Sequence, residues 1–346
     1  MYLIIDGSSM LSTNYYGTLP REMLFAKTEE EKEKLYPKIM QTTDGKYTNG
    51  ILLSLRQILS IIKYQKPEGL VVVLDRSRDT FRRELYAEYK AQRSSTPSPL
   101  KEQFQTFAEI LGEIGIPVYS SDRYEADDLA GAIAKRLEAD GKQCALMSAD
   151  KDYYQLVTPN TSLWRIITYN MQDKYQQTYG VDFTSYAKDN NLPVGVFETK
   201  YGDGIFAEGT NVELMPEQFV DYLAVTGDKS DNIPGVDRVG PMTIIPLLKK
   251  YGSLKAIYDE LHLAQQNNTI KELGALWKTE LGIKISPINA FLKNEANAWL
   301  SQKLAKIQTQ IDELPQNINV YQLNINYDGV QKAIRRYELN SLSNLI

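Results

Sequence analysis

The chain is 346 residues long, with 39 basic against 44 acidic side chains, a net charge of −5, one histidine and one cysteine. That composition excludes a disulfide framework, a Cys/His zinc cluster and a histidine pair on a metal. Any catalysis must rest on carboxylates, basic groups and hard cations. A Ser-His-Asp arrangement would have to use His262, and nothing beside it is built for that. At about 150 residues per domain the length suggests roughly two domains. The longest apolar stretch, Ile51 to Ile62, is broken by Arg56 and Gln57, too short for a bilayer helix. The N-terminus MYLIIDGSS lacks a basic region ahead of its apolar run, so it does not read as a secretory signal. A cytoplasmic, soluble protein without membrane partners is expected.

Tyr2–Asp6 is a short apolar run that reads as a buried strand. Pro20–Asp44 contains TEEEKEKLYPK and is expected to form a solvated helix inserted after the first strand and turn. Ile51–Tyr64 places Leu52, Leu55, Leu59 and Ile62 on one helix face, and Leu70–Asp75 is the second strand. RSRDTFRRELYAEYKAQR follows as a basic helix, then Arg93–Pro99 as a loop rich in proline and hydroxyl residues. Leu100–Ile114 is helical, Pro117–Ser120 a strand, Asp127–Leu137 a helix and Cys144–Ser148 a fourth strand. This alternation predicts an α/β fold, a mostly parallel sheet with helices on both faces. Met215–Ile346 is mostly helical, and the boundary lies between Asn170 and Pro216, giving regions 1–185 and 186–346.

Asp6 and Asp75 close their strands, Asp150 follows the fourth, and Asp152 stands two residues on. Ligands of open parallel sheets bind outside the carboxyl ends of the strands. Glu125, Asp127 and Asp128 open a helix, with Glu125 and Asp128 on one face. Asp228 and Asp231 share a face if TGDKSDN is helical. Any one of these acids is also explained as a cap or a dipole partner. Nine together are not, because two carboxylates 4 Å apart repel by about 4 kcal/mol at an effective dielectric near 20. Such a cluster would destabilise the fold or force protonation unless cations neutralised it, and an all-oxygen donor set selects Mg²⁺ or Mn²⁺. With the nine acids set aside, the net charge of −5 becomes +4, which readmits nucleic acid as a partner.

The basic segment carries Arg78, Arg82, Arg83, Lys90 and Arg93, with Phe81, Tyr86 and Tyr89 between them. Two readings stay open here. The cations reach a scissile phosphate while aromatics stack on an unpaired base, or the helix is solvated and pairs locally, as Asp79 with Arg83.

The blocks LIIDGSS, FRRELYAEYKAQR, YEADDLAG, SADKDYYQLVTPN and TGDKSDNIPGV, in this order, resemble the 5′-nuclease superfamily. The likeness is to the 5′→3′ exonuclease domain of bacterial DNA polymerase I and to bacteriophage flap endonucleases. It implies a stand-alone, monomeric, Mg²⁺-dependent 5′→3′ exonuclease and flap endonuclease, with Mn²⁺ as a substitute, acting on branched or 5′-ended DNA and on RNA-primed DNA. Asp6, Asp75, Glu125, Asp127 and Asp128 would form a first metal cluster, and Asp150, Asp152, Asp228 and Asp231 a second. Lys90 and Arg93 would stabilise charge on the phosphate and Tyr89 would stack on a base. Residues 82–99, beginning at Arg82, would build a helical arch over a 5′ single strand. A helix–three-turn–helix hairpin near 228–250 would bind duplex phosphates through Gly235, Val236, Arg238, Val239 and Gly240, with a K⁺. Arg238 departs from the family's usual glycine, and Pro241-Met242 replace a charged residue and lysine.

Two alternatives are a PIN-type ribonuclease, which lacks that hairpin, and a branched-DNA binding protein without cleavage. The second would be expected to lack some of the acids, and all nine are present.

Overall fold

A computed structural model describes residues 1–167, 169–207, 210–211 and 213–345. β1 (Tyr2–Asp6) runs directly into α1 (Gly7–Gly17). A Cβ on Gly7 would stand 2.5 Å from the Val72 side chain and 2.8 Å from Leu74, so only glycine lets the helix start on the neighbouring strand. There follow α2 (Glu29–Glu33), α3 (Asn49–Gln65), β2 (Gly69–Asp75), α4 (Phe81–Leu85), α5 (Ser98–Glu113), β3 (Val118–Ser121), α6 (Ala126–Ala139) and β4 (Cys144–Ser148). The four strands read from apolar runs are all present. Four further strands were not expected: β5 (Thr161–Ile166), then, beyond α7 (Tyr169–Tyr179) and α8 (Phe183–Asp189), β6 (Val196–Thr199), and a separate pair of two-residue strands, β7 (Phe206–Ala207) and β8 (Thr210–Asn211).

The sheet order is β3-β2-β1-β4-β5-β6, parallel throughout except for β6, which pairs antiparallel with β5. Side chains alternate between two apolar layers. Ile4, Val71, Val73 and Leu146 pack with Leu129 and Ile133 of α6 on one face. Leu3, Ile5, Val72 and Met147 pack with Met10, Ile51 and Phe107 on the other.

The remainder is helical: α9 (Phe219–Thr226), α10 (Pro241–Tyr251), α11 (Leu254–Gln266), α12 (Ile270–Leu281), α13 (Ile288–Lys293), α14 (Glu295–Ala305) and α15 (Tyr327–Arg336). Its last part returns to the sheet. Gln322 bridges to Gly69, and Val330, Ile334 and Leu342 join the apolar layer of α3 and α5.

The expected helix in the 20–44 insertion is reduced to α2, five residues capped by Thr28, flanked by short 3₁₀ turns. The predicted basic helix is likewise cut short, as α4 ends at Leu85. Among the described residues no helix is long and apolar enough to cross a membrane.

Candidate active site at the carboxyl edge of the sheet

β1 lies between β2 and β4, so the carboxyl edge around it is where the chain reverses its direction of strand addition. Asp6 ends β1 and caps α1, accepting from Ser9 N at 2.9 Å and from Ser148 Oγ at 2.8 Å. Burial, and next the Asp75 carboxylate, push Asp6 up to about 7. Asp75 ends β2 and accepts from Ala126 N at 2.9 Å, which ties the start of α6 to the sheet edge.

Glu125 precedes α6 and is buried. It pairs with Lys90 Nζ and accepts from Thr80 Oγ1 at 3.1 Å and the Tyr89 hydroxyl at 3.4 Å. Burial alone would raise its pKa, but Lys90 and then Arg82 outweigh burial and hold it below the ordinary value. Asp128, with no exposed surface, accepts two hydrogen bonds from Arg82 at 2.6 and 2.8 Å. Asp127, 4.0 Å from Arg82, is pushed well above the usual carboxylate range by burial and then by Asp128.

Beyond β4, Asp150 accepts from Asp152 N at 2.9 Å. Burial and then Asp150 push Asp152 well up, and Asp152 Oδ1 is buried with no hydrogen-bond partner. Lys151 reaches Asp228 at 2.9 Å. Asp231 is buried and pairs with Arg93, with Lys90 at 3.5 Å and with the Tyr89 hydroxyl at 3.3 Å. Asp228 and Asp231 do not share a helix. Asp228 opens, and Asp231 lies within, a turn closed by Asp228 N to Ile233 O at 3.1 Å and Ile233 N to Asp228 O at 2.8 Å.

All nine predicted acids thus converge on one edge. The charge problem that sequence reasoning assigned to metal ions is partly answered within the chain: Lys90, Arg93, Arg82 and Lys151 neutralise Glu125, Asp231, Asp128 and Asp228. Among the described residues no three acids stand in coordinating geometry. The donor set still suits a hard divalent ion: it is all oxygen, contains carboxylates driven toward protonation, and leaves one buried oxygen unpartnered.

Three expectations are corrected. Tyr89 is 3% exposed, with its hydroxyl between Glu125 and Asp231, so it has no free ring face for base stacking. Arg82 is 1% exposed; besides Asp128 it donates to Leu304 O at 2.9 Å and Lys306 O at 3.1 Å, so it joins two regions of the chain and does not face substrate. Residues 82–99 form no helical arch. After α4, left-handed Lys90 (φ 53°) turns the chain onto the 229–232 loop, with Lys90 N donating to Asp231 O at 2.9 Å and Asn232 Nδ2 to Glu88 O at 2.8 Å. Asp79 and Arg83 pair at 2.9 Å, as the local reading has it.

In the hairpin, Gly227 and Gly235 both have φ +68°, and a Cβ on Gly235 would stand 2.6 Å from Gly227 N. The Val236 and Val239 side chains are buried, and the amides of Gly235, Val236 and Val239 donate to Ser301 Oγ at 2.9 Å, Val225 O at 2.8 Å and Val236 O at 3.1 Å, so the expected phosphate grip by these three amides is corrected and Asp237 and Arg238 are what the turn exposes. Sequence reasoning missed Thr80, Ser148 and Lys151. Lys151 carried a signal, a cation set between two acids in SADKD.

Residues 1–182 match the family described as 5′-3′ exonuclease, N-terminal resolvase-like domain, and residues 214–328 match 5′-3′ exonuclease, C-terminal SAM fold. A 5′-3′ exonuclease of Aquifex aeolicus is 31% identical over 313 residues, 88% of this chain and 91% of that protein. DNA polymerase I of Streptococcus pneumoniae is 31% identical over 89% of this chain but only 28% of its own length. A bacteriophage T5 flap endonuclease solved with DNA and metal ions shares the fold, with a TM-score of 0.51 and 19% identity over 89% of each chain.

Proposed function

Because the chain belongs to the 5′-3′ exonuclease family, it is a structure-specific 5′ nuclease, and we propose that it hydrolyses DNA phosphodiesters near a 5′ end or flap junction using Mg²⁺. The products would be a 5′-phosphate and a 3′-hydroxyl. The observation that carries this reading is the meeting of nine acids, drawn from the ends of β1, β2 and β4, the start of α6 and the 228–231 turn, with Lys90 and Arg93 at the same edge.

Asp6, Asp75, Glu125, Asp127 and Asp128 would hold one divalent cation, and Asp150, Asp152, Asp228 and Asp231 a second. Such ions, when bound, polarise a phosphate and make water nucleophilic near neutral pH. Lys90 and Arg93 would place positive charge against a phosphate oxygen, the Arg93 side chain being 47% exposed and that of Lys90 24%. Ser148 and Ser9 N fix the Asp6 carboxylate, and Ala126 N fixes that of Asp75. The exposed Arg238 of the 235–240 turn would meet duplex phosphates, with a K⁺ held by carbonyls of that turn. The enzyme would act as a cytoplasmic monomer in removing flaps and RNA primers.

The test is a duplex bearing a 5′ single-stranded flap, labelled at its 5′ end, incubated with Mg²⁺ or with chelator. Release of a flap-length fragment that depends on the metal supports the reading, and mononucleotides measure the exonuclease share. Binding without cutting in Mg²⁺ and Mn²⁺ overturns it.

A further inference from the structure

The Tyr153 hydroxyl, like Asp152 Oδ1, is a buried polar atom of the acid edge without a hydrogen-bond partner. Tyr153 is 1% exposed, stands next to Asp152 in the 3₁₀ turn Lys151–Leu156 that Asp150 caps, and belongs to the same apolar layer as Leu129 and Ile133 of α6. Its hydroxyl lies in the field of Asp6, Asp127, Asp75 and Asp150, acids contributed by four separate elements. Phenylalanine would fill the same space without burying a donor, so packing alone does not account for the oxygen. Tyr15 also has an unpartnered buried hydroxyl, but its charged neighbours are only other tyrosines, and no anion stands there to receive it.

We propose that Tyr153 is a positioning residue: its O–H donates to the carboxylate group of Asp6, Asp75 and Asp127 when that group holds a divalent cation, and so fixes where those oxygens lie. The inference rests on the nuclease reading above. Without a cation, Glu125 is held by Lys90 and Asp128 by Arg82, and the hydroxyl has no partner. A cation that gathered Asp6, Asp75 and Asp127 would leave the buried phenol as the donor that holds one of their oxygens. Outer hydrogen bonds of this kind orient metal-binding carboxylates and typically change affinity by about 10-fold or more.

The test compares wild type, Tyr153→Phe and Tyr154→Phe by calorimetric Mn²⁺ titration, by thermal melting without metal, and by flap cleavage. Tyr154 is the control because its hydroxyl lies 3.4 Å from that of Tyr175 and within another aromatic cluster. The expected result is Mn²⁺ affinity lower by about 10-fold in Tyr153→Phe, a metal-free melting temperature raised above that of wild type because the unpartnered donor is gone, and a lower kcat at unchanged KM for flap DNA. Tyr154→Phe should match wild type in Mn²⁺ affinity. Equal Mn²⁺ affinity in wild type and Tyr153→Phe overturns the inference while leaving the nuclease reading intact. A wild type that neither binds Mn²⁺ nor cuts overturns both.

Discussion

Arg82 and Asp128 meet through two hydrogen bonds of 2.6 and 2.8 Å in an ion pair with essentially no contact with water. The pair is closed on every side. Asp128 also accepts from Glu125 N at 3.1 Å and from Gln308 N at 2.7 Å, while Arg82 holds the carbonyls of Leu304 and Lys306. Removing one partner of a buried pair leaves an uncompensated charge. Arg82→Met should therefore destabilise by about 3–5 kcal/mol in urea unfolding. Lysine cannot reproduce the two-pronged geometry, so Arg82→Lys should recover only a minor part. A variant with wild-type stability would show that the C-terminal segment does not depend on this contact.

Asp6 gives a pH dependence of unusual sign. Its folded value is about 7, above the value of about 4 expected for an unfolded aspartate. The folded state therefore holds a proton that the unfolded state releases, and stability from this group is full below pH ~4 and lost as pH rises toward 7. Asp6→Asn is neutral throughout. Without metal, its melting temperature should exceed that of wild type at pH 8, and the gap should close by pH 4. A constant gap across that range would contradict the assigned burial and repulsion from Asp75.

Lys90→Ala removes the largest influence holding Glu125 ionised. The acid limb of the pH–rate profile should move to higher pH, and kcat on flap DNA should fall by more than KM rises. A pure affinity loss would place Lys90 in binding alone.

Arg238 sits at φ +61°, in the left-handed region, on the exposed rim of the hairpin. The backbone cost of a non-glycine residue there, about 1–2 kcal/mol, exceeds the extra chain entropy glycine loses on folding. Arg238→Gly should stabilise by about 0.5–1 kcal/mol. It should also weaken duplex binding and flatten its salt dependence, since a phosphate-facing cation is lost. Greater stability with unchanged binding would mean that the side chain points away from DNA.

The inner strands were legible because parallel strands covered on both faces must be apolar along their whole length, as in Leu3–Ile5 and Val71–Val73. β5 escaped notice because Ser162 and Arg165 break its pattern, and β6 because four residues carry too little periodicity. The acids could be read from their positions at strand ends. Arg82 and Tyr89 could not. A helix that stops after five residues, followed by a left-handed turn at Lys90, reassigns which side chains point inward. The contacts that bury Arg82 come from 222 and 224 residues away and leave no trace in its local sequence.

Leu342, Ile334 and Val330 cover the same apolar layer as Leu55, Leu59 and Ile110, which belong to the first third of the chain. During synthesis that layer lacks this cover until residues 220 or more positions downstream have left the ribosome. A nascent chain arrested at the end of α14 would carry every acid of the site and still expose an oily flank to chaperones. The apolar flank therefore closes only after every acid of the site has been made.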